Sequence, residues 1–296
     1  MKRILAFLLA VSMPSFAAEL HELRLHRPHK AGDKFAASVK ATIDGVMTFS
    51  LNDRVAQEKK LDASMAVEGE FEVTEVDNKG RIRSAKMKVT KSEGKVDGSA
   101  SQVFKPDDVV TAARDDKGNE SFKINGKDPT ELQAELAGVL VPTSRATSIT
   151  DDDVYGPGKS VGIGEEWQIN SKAGVEEFSE IGKLSPEDIK GTMKLAGAEE
   201  FDGKKCLQVR GQVSVKGSGF SMPNVPEFVK VRNLELEADI ASTVPTDTSA
   251  TIPHAKVSMT VNVAAAGETE QNGQKVKVSL SIHRKKSSEG SYKPLK

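Results

Sequence analysis

Leu207-Gln208-Val209-Arg210-Gly211-Gln212-Val213-Ser214-Val215 puts Leu207, Val209, Val213 and Val215 on one parity and Gln208, Arg210, Gln212 and Ser214 on the other. Successive side chains of a strand point to opposite faces, so the stretch reads as a β-strand with one buried face. The same alternation returns at Leu234, Leu236, Ala238 and Ile240, at Val257, Met259, Val261 and Val263, and at Val276, Val278, Leu280 and Ile282. Upstream, Phe35, Val39 and Ile43 alternate with Lys34, Ser38 and Lys40, and Met47, Phe49 and Leu51 resume the pattern after Asp44-Gly45, which reads as a turn. Asn78-Lys79-Gly80, Asp202-Gly203 and Asn272-Gly273 mark further hairpins. Long strands wetted on one face and joined by tight turns belong to antiparallel sheets. The expected class is mainly β: two similar antiparallel, curved-sheet halves, half-barrel or sandwich-like, with one short helix.

That helix is signalled by Asp128-Pro129-Thr130-Glu131, which supplies an N-cap, a first-turn proline and a capping-box Glu. Leu132, Leu136 and Leu140 then repeat every four residues, so the helix carries one apolar stripe, ends near Val141-Pro142 and plugs against a sheet. Ser185-Pro186-Glu187-Asp188 opens a single turn. Residues 142–163 are rich in Ser, Thr, Asp, Gly and Pro without periodicity and read as a linker. On either side of it lie two openings of the form glycine, acid, any residue, aromatic: Gly32-Asp33-Lys34-Phe35 and Gly164-Glu165-Glu166-Trp167. Each precedes a hairpin, starting at Gly69 and at Gly191. The expected organisation is a signal peptide at 1–17, a first β-rich half at 18–141, the linker, a second half at 164–286 and a basic tail at 287–296.

Composition narrows the function classes. The 296 residues hold 42 Lys+Arg against 43 Asp+Glu, a formal charge of −1, which gives no field for steering onto nucleic acid. One Cys allows no intramolecular disulfide and no all-cysteine zinc site. The first residues read Met1-Lys2-Arg3, an apolar run from Ile4 to Val11, then Ser12-Met13-Pro14-Ser15-Phe16-Ala17-Ala18, the pattern of a signal peptide cleaved after Ala17. Cleavage removes Lys2 and Arg3 and leaves a net charge of −3. No segment reaches the ~18 consecutive apolar residues of a membrane span, so a periplasmic or secreted location is expected.

Chemical motifs are near misses. His21 and His26 are five apart, not four as in a metalloprotease helix, and His29 adds a third imidazole without converging spacing. Gly158-Lys159-Ser160 lacks the earlier glycine of a phosphate loop, and Gly162-Ile163-Gly164 lacks a third glycine. Asp151-Asp152-Asp153 reads as a solvated linker, and Gly217-Ser218-Gly219 matches no nucleophile elbow. Cys206 has the parity opposite to Leu207 and two lysines beside it, which predicts partial exposure and a lowered pKa. His254 and His283 read as surface residues, and His283-Arg284-Lys285-Lys286 with Lys293 and Lys296 as a basic, solvated end. No residue is therefore assigned to catalysis, a cofactor or a metal, no cofactor is expected, and the ligand-binding residues are left unassigned.

One-sided strands must hide their apolar faces against each other or around a space. Small inward positions (Ala37, Ala41, Ala63, Ala238, Ala265, Gly197, Gly211) and only 5% aromatic residues suit either arrangement. The paired openings, with Asp202-Gly203-Lys204-Lys205-Cys206 in the later hairpin, resemble those of uncharacterised exported bacterial proteins with duplicated β-rich halves. At fold level the pattern is similar to the open half-barrels of periplasmic lipoprotein carriers, and that resemblance implies an apolar concave face. The leading expectation is a non-enzymatic envelope module that binds or carries an apolar small molecule or lipid. The alternatives are a structural component with a filled core that meets an envelope protein, and a hydrolase without a recognisable motif.

Overall fold

The computed structural model describes residues 19–115, 118–144, 149–179, 181–220, 225–271 and 273–295. Residues 1–17, which the sequence pattern reads as a signal peptide, lie outside them. In chain order the elements are β1 (Leu20–His21), β2 (Lys34–Leu51), β3 (Arg54–Val76), β4 (Ile82–Val96), β5 (Ser99–Ala100), β6 (Val109–Arg114), β7 (Glu120–Ile124), α1 (Glu131–Leu140), α2 (Asp151–Tyr155), β8 (Val161–Gly162), β9 (Glu166–Gln168), α3 (Ser171–Glu177), β10 (Ile189–Phe201), β11 (Lys204–Gly217), β12 (Lys230–Pro245), β13 (His254–Gln271) and β14 (Gln274–Pro294). The protein is mainly β, as its alternation requires, and its core is one large, curved, antiparallel sheet that is not a closed barrel.

The sheet runs β7-β6-β4-β3-β2-β14-β13-β12-β11-β10-β9, with β5 paired to β4 off the path. Its central seam joins the long strands β2 and β14, with Ile43 opposite Lys286 and Ala37 opposite Tyr292. Bulges between Glu68 and Gly69, Leu195 and Gly197, and Val231 and Asn233 bend individual strands, and such bulges add to the native twist. The outermost strands, β7 and β9, are only five and three residues long, which limits the unpaired edge.

Two apolar clusters form on the sheet. One gathers Phe35, Val39, Ile43, Val67, Phe71 and Met87 beneath α1, which contributes Leu136, Ala137 and Leu140. The other gathers Leu195, Leu207, Val209, Val213, Leu236 and Val263 with Trp167, Leu23 and Leu25. Both clusters sit on one shared sheet, and Leu23 and Leu25 of the N-terminal segment join the cluster formed by the later strands. The two openings fold alike: Gly32 N–H donates to Val73 O (2.8 Å) and Val73 N–H to Asp33 O (2.9 Å), while Gly164 N–H donates to Leu195 O (2.7 Å) and Leu195 N–H to Glu165 O (3.1 Å). Both glycines have positive φ, +92° and +89°, which a side chain disfavours.

Several expectations are corrected. Asp44-Gly45 is no turn: β2 runs through it, and the glycine is needed because a Cβ there would lie 2.6 Å from the His283 carbonyl oxygen on β14. The chain reverses instead at Asn52-Asp53, both with positive φ as a tight hairpin turn requires. The cap of α1 is Thr130, not Asp128; its hydroxyl accepts from Gln133 N–H while the Gln133 side chain accepts from Thr130 N–H. Among the described residues there are three helices rather than one: Thr150 N–H and hydroxyl donate to Asp153 at the start of α2, and the Asn170 side-chain oxygen accepts from Ala173 N–H at the start of α3. The stretch from Ser185 does form a single 3-10 turn, Pro186–Asp188. Residues 287–294 are strand rather than tail, since Ser287 to Ser291 pair with both β2 and β13.

Candidate functional site

Between the two clusters lies a cavity of about 670 Å³. Its sheet side is built from Phe35 and Val39 of β2, Phe71 of β3, Ala255 and Val257 of β13, and Ser288, Gly290 and Tyr292 of β14. Gly138 and Val139 of α1 and the segment Pro142–Ser144 close it from the helix side, and Ile252 from the β12–β13 loop. A wall of four rings runs along it. His29 meets Phe35 edge-on at 5.9 Å, Phe35 meets Phe71 at 6.2 Å, and Phe71 meets Tyr292 edge-on at 6.1 Å. Phe35, Phe71 and Tyr292 give the cavity a broad apolar face.

The N-terminal segment spans the cavity's other side and bonds to several distant parts of the chain. β1 pairs with β8, and Leu25 N–H donates to Asp152 Oδ1 at 2.6 Å. Arg27 is only 8% exposed and donates to the Pro245 and Asp247 carbonyls at 2.8 and 3.2 Å, reaching the end of β12. His26 Nε2 donates to Lys79 O at 2.9 Å and His29 N–H to Gly80 O at 2.8 Å, reaching the turn between β3 and β4. Leu25, His26, Arg27 and His29 all line the cavity.

Enclosure shifts the ionisable groups around it. Asp151, the first residue of α2, is exposed to the cavity space with protein on its other sides, and desolvation there raises its carboxyl pKa, with His26 and Arg81 opposing and Asp152 adding. Burial lowers the His29 pKa against the pull of Asp33, whose carboxylate is 3.8 Å away. Burial also raises the Tyr292 phenol. Arg81 is held by Asp77 (2.6 Å) and by the Ile149 carbonyl (2.8 Å).

Of the positions singled out in the sequence, the structure brings His26, His29 and Asp151 to this cavity. His21 is paired into β1, and its Nε2 is buried without a hydrogen bond. Among the described residues, no group of three His, Cys, Asp or Glu side chains is placed to hold a metal ion. The Asp151–Asp153 run opens α2 rather than lying in a structureless linker, with Asp151 and Asp153 exposed: Asp152 receives Leu25, and Asp153 receives both the backbone N–H and the hydroxyl of Thr150. Lys159 pairs with Glu165 at 2.5 Å. Cys206 is buried, not partly exposed. It is flanked by Glu199 of β10 and Pro245 of β12, and burial, then Glu199, raises its pKa. His254 is half-buried, stacked on Phe201 and 3.3 Å from Glu289, whereas His283 is exposed. The basic run alternates across the sheet. None of the seven small positions noted in the sequence lines the cavity; Ala255, Gly290 and Gly138 do.

No protein-family model matches the chain, and no curated protein does. Among solved structures, the chain is faintly similar to a DUF1329 family protein from Desulfovibrio piger, at 7% identity over 82% of this chain and 83% of that one, with a TM-score of 0.11. It is similar at the same level to MucB in complex with MucA(peri), at 6% identity over 82% of this chain and 88% of that one, with a TM-score of 0.14. Likenesses this faint carry no argument about function, which has to be read from the cavity. No helix among the described residues is long and apolar enough to cross a membrane.

Proposed function

We propose that the protein is an exported, non-enzymatic binding or carrier module of the bacterial envelope whose two halves, 18–141 and 164–286, form the walls of one chamber for an apolar ligand. The observation that carries this reading is the cavity of about 670 Å³ between the two clusters, walled by Phe35, Phe71, Tyr292, Val139, Ile252 and Val257. Its volume falls in the ~300–1,000 Å³ range of small-molecule sites, which are mostly apolar with a few placed polar groups. A structural component with a filled core is the weaker reading, because the clusters leave that space between them.

The test is native mass spectrometry of protein purified without detergent, together with titration by N-phenyl-1-naphthylamine, a neutral probe that fluoresces in apolar surroundings. A retained small molecule, or a saturable one-site fluorescence rise, is expected. No retained molecule and no saturable rise would end the carrier reading.

A further inference from the structure

Along β14 the residues facing the chamber are Tyr292, Gly290 and Ser288, and the next two on that face are Lys286 and Arg284. Lys286 lies opposite Ile43 and Met259, one from each half's apolar packing, so it faces inward. Two residues of strand advance ~7 Å, which places Lys286 one such step beyond Ser288 and Arg284 two steps. Both cations share a single oxygen of Glu135 on α1: Arg284 Nη1 at 2.5 Å and Lys286 Nζ at 2.6 Å. One turn earlier on α1, Glu131 pairs with Lys59 and also attracts Arg284. Among the described residues, three cations therefore face two carboxylates here.

The surplus charge matters because of its setting. Glu135 is 14% exposed, Lys286 30% and Arg284 33%, so the cations are partly desolvated yet reachable. Two cations on one carboxylate oxygen leave guanidinium and ammonium donors for a second anion, and charge-assisted bonds are stronger where water is thin. At the chamber's other end Arg81 is clasped by Asp77, Arg27 is only 8% exposed and donates to the Pro245 and Asp247 carbonyls, and the Asp151 carboxylate opposes any anion there.

We propose that the ligand is an amphiphile with one anionic head, a carboxylate or phosphate monoester, bound by Arg284 and Lys286 with its apolar tail in the chamber. This rests on the carrier reading above. Glu135 then competes with the head for the same cations. The test is displacement of N-phenyl-1-naphthylamine from the full chain by dodecanoic acid, dodecyl phosphate, 1-dodecanol and dodecylamine. Both anions are expected to bind at least tenfold more tightly than the alcohol or the amine. That preference should shrink to under threefold in Lys286→Gln or Arg284→Gln and grow in Glu135→Gln. A purely structural Glu135 would not produce that opposite sign. Equal binding of all four by the wild-type protein overturns the head-group assignment while the carrier reading stands. Absence of any probe binding together with no retained molecule overturns both. The comparison of four ligands on the wild-type chain stands without any variant, should one fail to fold.

Discussion

Val257 is 37% exposed although it sits on the inward face of β13, because its side chain looks into the chamber rather than against a neighbour. Val257→Trp should therefore fill the space at little structural cost. A buried aromatic covers ~150–250 Å², so the substitution takes up roughly 100 Å² beyond valine. At ~25 cal/mol per Å², a ligand denied that area loses about 2.5 kcal/mol, on the order of 60-fold in Kd. The same burial stabilises the folded chain and offsets a repacking strain of ~1–3 kcal/mol, so the net change in stability is near zero and Tm moves by less than about 5 °C. Val67→Trp is the contrast, since Val67 is 1% exposed in the first cluster and has no space to grow into. The assay is probe titration with thermal denaturation of both variants. A folded Val257→Trp that binds as the wild type does, or one that loses as much Tm as Val67→Trp, would refute the chamber as the binding site.

Leu140→Ala should cost about 2–5 kcal/mol, because Leu140 is fully buried where α1 meets the first cluster; denaturant titration with no shift in midpoint would remove α1 from the core. Gly45→Ala should cost ~1–3 kcal/mol in the same assay, since its Cβ would stand 2.6 Å from the His283 carbonyl oxygen and the seam must part to admit it. Asp151 has a raised folded pKa, so the folded state holds its proton more tightly than the unfolded state does. That contribution to stability is present below the unfolded carboxyl pKa of ~3.9 and is lost as pH rises through the folded value. Asp151→Asn should accordingly be more stable than wild type at pH 7, with the two Tm curves converging near pH 3.5; parallel curves would show that Asp151 is not enclosed.

Much of the sheet was legible because alternation is local. Leu207 to Val215 and Val257 to Val263 declare a strand and its inward face without reference to the rest of the chain, and the openings at Gly32 and Gly164 declare a shared backbone turn. Asp44-Gly45 misled because a glycine required by a neighbouring strand 238 residues away looks the same in sequence as one required by a turn. The α1 cap slid by two residues because Asp128 and Thr130 are both good caps, and only Gln133 reaching back to Thr130 decides between them. The chamber could not be read at all. Phe35, Phe71, Val139, Val257 and Tyr292 come from five separate elements, and no spacing links them. Arg284 and Lys286 look like part of a solvated basic run until the pairing of β14 with β2 turns them toward Glu135.

The seam between β2 and β14 joins nearly the first long strand of the chain to the last. Leu295 N–H reaches the Lys34 carbonyl oxygen at 2.9 Å, so contacts across almost the whole sequence complete the middle of the sheet. Until β14 arrives, β2 and β13 each present an open edge of 18 residues, and such edges are templates for pairing with other chains. Folding by so non-local a closure is slow, since loop-closure entropy has to be met before the pairing contributes. Before β14 pairs, the chain is thus two unfinished sheets, dependent on the 21 residues of Gln274–Pro294 to become one molecule.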